Sequence, residues 1–194
     1  MISGKSVLAI IPAREGSKRI PLKNLTLYRG KPLIQWAIDH ALGSQYIDEI
    51  CISSDSEAIL KYADQKSPKH LWRGERPAFL ATDHATSEAL VAFHLCGFWW
   101  TKNAPFPDYF VLLQPTSPLR TTADIDTCIR RAHQGRGQCI SYDPYGKRNG
   151  AVFVSSTPLF LSSLSLEDRR LGAERYEMPL ERSLDIDYEE DFNR

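Results

Sequence analysis

The sequence predicts an α/β protein in which helices cover a parallel sheet, and three observations support this class. Short apolar or β-branched segments alternate with longer segments of helical period, the order that strands and crossover helices produce. Segment 108–113 is apolar almost throughout, as a strand buried on both faces is. The 194 residues are 42% hydrophobic and 25% charged, which supports a buried core and excludes collagen, coiled coil, low-complexity disorder and disulfide-rich miniproteins.

Seven segments have the character of strands. They are 6–12, 49–53, a short segment near Leu71, 108–113, 138–142, 151–155 and 175–178. The last is expected at an edge of the sheet. A polar loop to about Lys31 follows the first strand, and the segment 67–84 lacks periodicity, so it is expected to be mostly loop.

Five segments have helical character. The first starts at Pro32. The others cover 57–65, Thr86 or Ser87 to Trp100, Thr122 to about Gln134, and 158–163. Pro32 suits the first position of a helix because its missing N–H is not needed there. The polar residues at 54–56 and at 86–87 are of the types that cap helix N-termini. No internal repeat or linker divides the chain, which predicts one domain.

Global charge and composition exclude several kinds of partner. The chain has 24 Lys and Arg against 24 Asp and Glu, so no overall field would draw it to nucleic acid or to anionic lipid. The longest apolar stretch, 89–100, is too short to span a bilayer. Four separated cysteines predict reduced core thiols rather than zinc or disulfides. We therefore expect a cytoplasmic protein with neither nucleic acid nor membrane as a partner.

Charge is nevertheless segregated along the chain. Residues 14–31 contain six cations and one carboxylate, whereas residues 181–194 contain six carboxylates and two arginines. Ligands of open α/β sheets bind at the carboxyl edge of the strands. If the fold brings the two segments together at this edge, they form complementary halves of one site.

The basic segment contains the sharpest local signal, the loop IPAREGSKRIPLKN at 11–24 that follows the first strand. Gly16 and Ser17 allow backbone N–H groups to approach an anion closely, and four cations within ten residues suit a polyphosphate. The loop lacks the glycine patterns of Walker and dinucleotide sites. A solvated basic loop is the alternative interpretation.

Two further motifs supply polar groups. In an extended segment, Asp185 and Asp187 point the same way, and one or two carboxylates together with substrate phosphates are what Mg²⁺ binds. A structural or solvated pair is the alternative for these aspartates. After the strand at 108–113, two prolines fix a turn that presents the Gln114 amide and the Thr116 and Ser117 hydroxyls.

Taken together, these motifs resemble those of the acylneuraminate cytidylyltransferases, the CMP-sialic acid synthetase family with its legionaminic and pseudaminic acid relatives. The matching stretches are IPAREGSKRIPLKN at 11–24, GKPLIQWAI at 30–38, ISSDSEAI at 52–59, RPAFLATDHATS at 76–87, LLQPTSPLR at 112–120, RNGAVFV at 148–154 and ERSLDIDYEEDF at 181–192. They occur in family order and cover nearly the whole chain.

The resemblance implies both a fold and an activity. The fold is a three-layer α/β/α, Rossmann-like domain of the nucleotide-diphospho-sugar transferase type over residues 1–194, with a mostly parallel mixed sheet of about seven strands. The activity is a Mg²⁺-dependent transfer from CTP to an acidic nine-carbon sugar of the sialic, legionaminic or pseudaminic acid type, giving the CMP-sugar and pyrophosphate. Another sugar nucleotidyltransferase, of the Kdo or sugar-phosphate type, and an inactive CTP-binding module are the alternatives.

The resemblance also implies roles for individual residues. The matched positions are Ala13, Arg14, Ser17, Lys18, Lys23, Asn24, Arg76 and Ser87 for the nucleotide, Gln114 and Asn149 for the sugar, and Asp185 and Asp187 for Mg²⁺. Lys23, Arg14 and Asp187 are the expected catalytic residues, with Lys23 closest to the α-phosphate. Either Asp187 or a metal-bound water is expected to accept the sugar's proton.

The chain departs from the family pattern at two places. Glu15 stands where relatives often have glycine, and it is expected to pair with Arg19 or to face solvent. Near 143–148, the family's sugar-contacting and dimerising segment is shortened or missing. The resemblance therefore leaves open whether the chain forms a homodimer.

Overall fold

The computed structural model describes residues 1–17, 19–66, 71–162 and 172–194, apart from the side chains of residues 99, 101 and 102. The strands are β1 (Val7–Pro12), β2 (Leu27–Tyr28), β3 (Lys31–Pro32), β4 (Glu49–Ser54), β5 (Leu71–Glu75), β6 (Tyr109–Leu112), β7 (Gln138–Tyr142), β8 (Arg148–Ser156) and β9 (Glu174–Glu177). The helices are α1 (Leu33–Gly43), α2 (Glu57–Asp64), α3 (Ser87–Lys102), α4 (Thr122–Gln134) and α5 (Thr157–Ser162).

Seven of these strands form one mixed sheet in the order β5-β4-β1-β6-β8-β7-β9. Strand β8 runs antiparallel to its neighbours β6 and β7, whereas the pairs β4–β5, β1–β4, β1–β6 and β7–β9 are parallel. The predicted mostly parallel sheet and its last edge strand are confirmed. The short strands β2 and β3 pair separately, within the segment that was expected to be a polar loop.

Helices cover both faces of the sheet, which gives three layers. Alternate residues of β1 point to opposite faces. Ala9 and Ile11 pack in the core formed with α1, α2 and α4, whereas Leu8 and Ile10 pack with α3 and with Phe160 of α5. The central position of β1, buried on both faces, places its carboxyl end in the middle of one sheet edge.

Most predicted boundaries agree with the structure, and the exceptions have local causes. Thr86 caps α3, because its hydroxyl accepts a hydrogen bond from Ala89 N at 3.2 Å. Ser56 precedes α2, but its hydroxyl bonds to Glu15 rather than to the helix. The expected loop at 67–84 contains β5 and a 3-10 helix at Ala78–Leu80. Residues 67–70 and residue 163 lie outside the described residues.

A small apolar cluster holds the acidic tail against the body of the protein. Leu184 and Ile186 pack with Tyr28 and Leu33. Ile186 N donates to Thr116 O at 2.8 Å, which ties the tail to the turn after β6. Because Leu184 and Ile186 point inward, the two aspartates that alternate with them face the edge of the sheet.

A tight turn joins β7 to β8 at the place where the family's longer segment is expected. Asp143 N donates to Lys147 O at 2.8 Å and Gly146 N to Asp143 O at 3.0 Å. The Asp143 carboxylate accepts from the backbone N–H groups of Tyr145 and Lys147. These hydrogen bonds close the turn within a few residues.

The cysteines agree only in part with the expectation from the sequence. Cys51, Cys128 and Cys139 are buried free thiols, but Cys96 is exposed on α3, so the expectation of a core thiol is wrong there. Within the described residues, none of the helices has the length and apolar character needed to cross a bilayer.

Candidate active site

Two adjoining clefts open at the carboxyl edge of the parallel strands. The first, of about 510 Å³, runs from the loop after β1 to the acidic tail. The second, of about 390 Å³, lies over β8 and α3 and shares Ser87, Gln114 and Asp185 with the first. The candidate residues that line the first cleft are Arg14, Ser17, Lys23, Asn24, Arg76, Ser87, Gln114, Asp185 and Asp187.

The basic loop and the acidic tail meet across the first cleft. Lys23 Nζ lies 3.0 Å from Asp187 Oδ1, although 164 residues separate them in sequence. Arg19 Nη1 lies 3.5 Å from Asp187 Oδ2, and its guanidinium stacks on the Tyr188 ring at 4.5 Å. The structure thus brings together the two charged segments whose juxtaposition the sequence suggested.

Backbone contacts hold the loop after β1 in place. Ala13 is fully buried; its N–H donates to Ser53 O at 2.8 Å and its carbonyl accepts from Ser54 Oγ at 2.6 Å. Asn24 Nδ2 donates to Arg14 O at 2.9 Å. Ala13 and Asn24 therefore shape the loop, and Asn24 reaches the cleft together with Arg14, Ser17 and Lys23. Lys18 lies outside the described residues.

Two arginines line the cleft on the side of α3. Arg14 Nη2 lies 2.8 Å from the carboxylate of Asp83, a cleft residue to which the sequence assigned no role. Arg76 Nε donates to Leu80 O at 2.7 Å, and burial lowers the pKa of its guanidinium, with Asp55 acting in the opposite direction. Ser87 stands at the start of α3 beside both clefts.

Asp185 and Asp187 offer the oxygen donors that a divalent cation requires. The Asp185 side chain faces the cleft, where the surrounding walls partly desolvate it and raise its pKa; Asp187 adds to this effect, and a hydrogen bond with Thr116 opposes it. Within the described ranges, no group of three or more His, Cys, Asp or Glu side chains could hold a metal. Two carboxylates supplemented by substrate oxygens and water match the usual Mg²⁺ site, so the residues fit this ion.

Glu15 does not pair with Arg19, which faces Asp187 instead. Its carboxylate is exposed, the other outcome expected for it, and accepts a hydrogen bond from Ser56 Oγ at 3.2 Å. Glu15 N donates to Asp55 at 2.8 Å. These contacts direct the carboxylate toward Ser56, which precedes α2.

The second cleft has an apolar floor and a charged rim. Val91 and Phe160 are almost completely buried at its base. Lys147 and Arg148 are exposed at its edge, and neither forms an ion pair with any residue that the structure describes. Glu88 and Asp185 also line this cleft, so it offers a ligand apolar surface together with groups of both charges.

The two candidate sugar residues occupy different environments. Gln114 lines both clefts. Asn149 lines neither: its buried side-chain amide accepts from Ser141 Oγ at 2.6 Å and donates to Ser183 Oγ at 3.1 Å. Since Asn149 is 6% exposed, the geometry gives it an internal role between β7, β8 and the tail.

Comparison with known proteins identifies the family. A family model described as cytidylyltransferase matches residues 8–131. The CMP-N,N'-diacetyllegionaminic acid synthase of Legionella pneumophila is 44% identical over 134 residues, 69% of this chain and 56% of that protein. The N-acylneuraminate cytidylyltransferase of Streptococcus agalactiae is 32% identical over 222 residues, 95% of this chain and 51% of that protein. The chain thus spans about half the length of the curated relatives it matches.

A solved structure supports the fold. CMP:2-keto-3-deoxy-manno-octonic acid synthetase complexed with CTP superposes with a TM-score of 0.69 at 16% identity, covering 95% of this chain and 94% of that one. The nucleotide-sugar transferase fold and the resemblance drawn from the motifs are both confirmed. This chain belongs to the cytidylyltransferase family.

Proposed function

We propose that the chain transfers the cytidylyl group of CTP to an acidic nine-carbon sugar, giving the CMP-sugar and pyrophosphate. The observation that carries this proposal is the cleft of about 510 Å³, which Arg14 and Lys23 line together with Asp185 and Asp187, and across which Lys23 contacts Asp187. A nucleoside triphosphate with its divalent ion needs this combination of cations and carboxylates. The named relatives, which use legionaminic and N-acylneuraminic acids, support the choice of sugar.

The nucleotide half of the site would work by charge neutralisation. Arg14, Ser17, Lys18 and Lys23 bind the triphosphate, with Lys23 at the α-phosphate. Ala13 and Asn24 hold the loop, and Arg76 and Ser87 face the cytidine and its ribose. In the described structure Arg14 and Lys23 contact Asp83 and Asp187, so phosphate oxygens would replace these carboxylates when CTP binds.

The sugar half would occupy the cleft of about 390 Å³. Gln114 lies where the two clefts meet and would orient the reacting hydroxyl. Lys147 and Arg148, which form no ion pair within the described part of the chain, would balance the sugar's carboxylate. A direct contact between Asn149 and the sugar stays a prediction, since the amide of Asn149 already bonds within the protein.

In the reaction, the anomeric hydroxyl oxygen attacks the α-phosphorus in line. A bond forms from this oxygen to phosphorus, the bond from the α-phosphorus to the bridging oxygen breaks, and pyrophosphate leaves. Asp187, or a water in the cleft where this carboxylate is occupied by the cation, takes the hydroxyl proton. Arg14 and Lys23 stabilise the charge that develops on the phosphate oxygens, so catalysis consists mainly of positioning and electrostatics.

Asp185 and Asp187 would hold Mg²⁺. When bound, the ion supplies positive charge that makes the triphosphate a better electrophile and pyrophosphate a better leaving group. Thr116, which bonds to Asp185, would keep that carboxylate turned toward the cleft.

The test is release of pyrophosphate from CTP and Mg²⁺ in the presence of N-acetylneuraminic, legionaminic or pseudaminic acid. Release with at least one acid, and none without sugar, is expected. A thermal-shift panel of CTP, UTP, ATP and GTP should favour CTP. Three results would each overturn the proposal: turnover only with Kdo or a sugar phosphate, a preference for another nucleotide, or CTP binding without turnover.

We also propose that the protein acts in the cytoplasm, with CTP and the sugar as its partners. Because the turn between β7 and β8 is short, a homodimer would need a surface other than the family's projecting segment. Light scattering coupled to size-exclusion chromatography distinguishes the monomer from the homodimer.

A further inference from the structure

A buried arginine lies behind the junction of the two clefts. Arg120, in the turn between β6 and α4, has 0% of its surface exposed. It forms no ion pair with any described residue. The nearby Asp124 carboxylate, which helps to stabilise the Arg120 charge, is bound by Arg182 at 2.9 Å and by Tyr176 at 2.6 Å. Burial lowers the Arg120 pKa to about 9, so the side chain remains a cation at neutral pH.

One nitrogen of Arg120 makes both of its hydrogen bonds. Nη1 donates to Gln114 O at 2.6 Å and to Ala151 O at 3.0 Å. Nε and Nη2 have no hydrogen-bond partner within the described residues. Burying unpaired donors costs free energy, so an apolar side chain would fill this space at lower cost. The benefit of having a charged side chain here therefore lies in its hydrogen bonds to the backbone carbonyls of Gln114 and Ala151.

These two hydrogen bonds lie where the backbone hydrogen bonding between β6 and β8 would otherwise continue. The pairing of β6 with β8 ends at Leu112 and Phe153, and continuing this register would set Gln114 opposite Ala151. Pro115 has no N–H to continue the ladder, and Ala151 N bonds to the Asn149 side chain instead. The Arg120 guanidinium bridges the two carbonyls at this point and fixes the spacing between Gln114, just beyond the end of β6, and Ala151 within β8.

That spacing determines where the Gln114 side chain lies. Gly150, next to Ala151, has a φ of +69°, and a Cβ there would lie 2.6 Å from Gln114 Oε1. The Gln114 amide thus rests against the Gly150 backbone, and Arg120 holds the main chain on both sides of this contact. A shift of either the chain after β6 or strand β8 would move the amide at the place where the clefts join.

We propose that Arg120 is a positioning residue, which holds Gln114 and Gly150 at the spacing required to orient the sugar hydroxyl toward the α-phosphorus. This inference rests on the proposed function, but its effect on Gln114 can be observed without turnover. Because the triphosphate contacts lie on the loop after β1, loss of Arg120 should weaken sugar use and spare CTP binding.

The experiment compares R120M, R120K and R130M, the last being a matched control on the exposed surface of α4. R120M should lower kcat/KM for the sugar about 100-fold, the scale of a 1 Å misplacement, and should leave the CTP Kd within about twofold. A lysine ammonium can donate to both carbonyls, so R120K should recover to within about tenfold of wild type. In a Q114A background, R120M should have little further effect.

A spectroscopic measurement keeps the test independent of activity. The Gln114 side-chain amide should give one sharp NMR signal in wild type, R120K and R130M, and a shifted or broadened signal in R120M. If R120M does not fold, R120Q replaces it, because its amide can donate to one carbonyl. Any of three results would overturn the proposal: R120M weakens CTP binding as much as sugar use, R120K is as impaired as R120M, or the Gln114 signal is unchanged in R120M. If wild type shows no turnover, the proposed function fails and the NMR comparison alone decides the role of Arg120.

Discussion

Replacing Lys23 with methionine should make the protein bind a divalent cation more tightly when no nucleotide is present. Lys23 Nζ lies 3.0 Å from Asp187 Oδ1, so the lysine occupies one of the two carboxylates proposed for Mg²⁺. Methionine has a similar length but carries no charge. Its introduction frees Asp187 from this competition, and Arg19, at 3.5 Å, remains as the weaker competitor.

The size of this effect follows from the exposure of the pair. The Lys23 side chain is 10% exposed and that of Asp187 is 48% exposed. Exposed ion pairs contribute about 0.2–1 kcal/mol to stability, and breaking a buried pair costs about 3–5 kcal/mol. The interaction of Lys23 with Asp187, which is half-buried, should therefore be worth about 1–2 kcal/mol, and a cation that binds Asp187 must replace it. Cation affinity should therefore rise about 5- to 30-fold in Lys23→Met.

The assay follows the EPR signal of free Mn²⁺ during titration with protein in the absence of CTP. Lys31→Met is the matched control, because Lys31 pairs with Asp39 at 2.8 Å away from both clefts; its Mn²⁺ affinity should equal that of wild type. The same Lys23→Met variant should bind CTP more weakly and release pyrophosphate about 100- to 1000-fold more slowly, as when one oxyanion donor is removed. An unchanged or lower Mn²⁺ affinity in Lys23→Met would refute this reasoning.

Three further outcomes are expected. Asp185→Asn and Asp187→Asn should each shift the Mg²⁺ dependence of pyrophosphate release to higher concentration; unchanged titrations in both variants would exclude the metal assignment. Gly150→Ala, whose Cβ would lie 2.6 Å from Gln114 Oε1, should raise the KM for the sugar while calorimetry shows unchanged CTP affinity, and an unchanged KM would contradict this. Burial, assisted by nearby positive charge, lowers the pKa of His94 to about 4 from 6.5, so the unfolded chain takes up the proton first as pH falls. As the pH falls from 6.5 to 4, His94 should therefore lower the free energy of unfolding by up to about 3 kcal/mol. Urea denaturation at several pH values should show a smaller loss of stability in His94→Gln than in wild type. Identical dependence of stability on pH in the two proteins would contradict this.

Local sequence signals predicted the part of the site that depends on local structure. The apolar run of β1 and the basic loop after it are adjacent in sequence, so their placement at the sheet edge follows from the fold class. The alternation at 184–187 placed Leu184 and Ile186 inward and both aspartates at the cleft. Helix boundaries were predictable for the same reason, since caps such as Thr86 act within one turn.

Contacts between distant segments were not predictable from these signals. Asp83 pairs with Arg14 across 69 residues of chain, and no local pattern sets it apart from other loop aspartates. Arg120 appears in a polar turn, where a charged side chain is normally exposed, yet it is fully buried. Asn149 follows two exposed cations but turns inward, because it is the second residue of β8 and alternate residues of a strand face opposite sides.

The central claim is that a nucleoside triphosphate and a divalent ion bind between the loop after β1 and the acidic tail. A crystal structure with CTP and Mn²⁺ tests this claim most directly, because the anomalous signal locates the ion. We expect Mn²⁺ at Asp185 and Asp187, the triphosphate on Arg14 and Lys23, and the Lys23 contact with Asp187 broken. Nucleotide bound outside the cleft, or Mn²⁺ remote from both aspartates, would contradict the account.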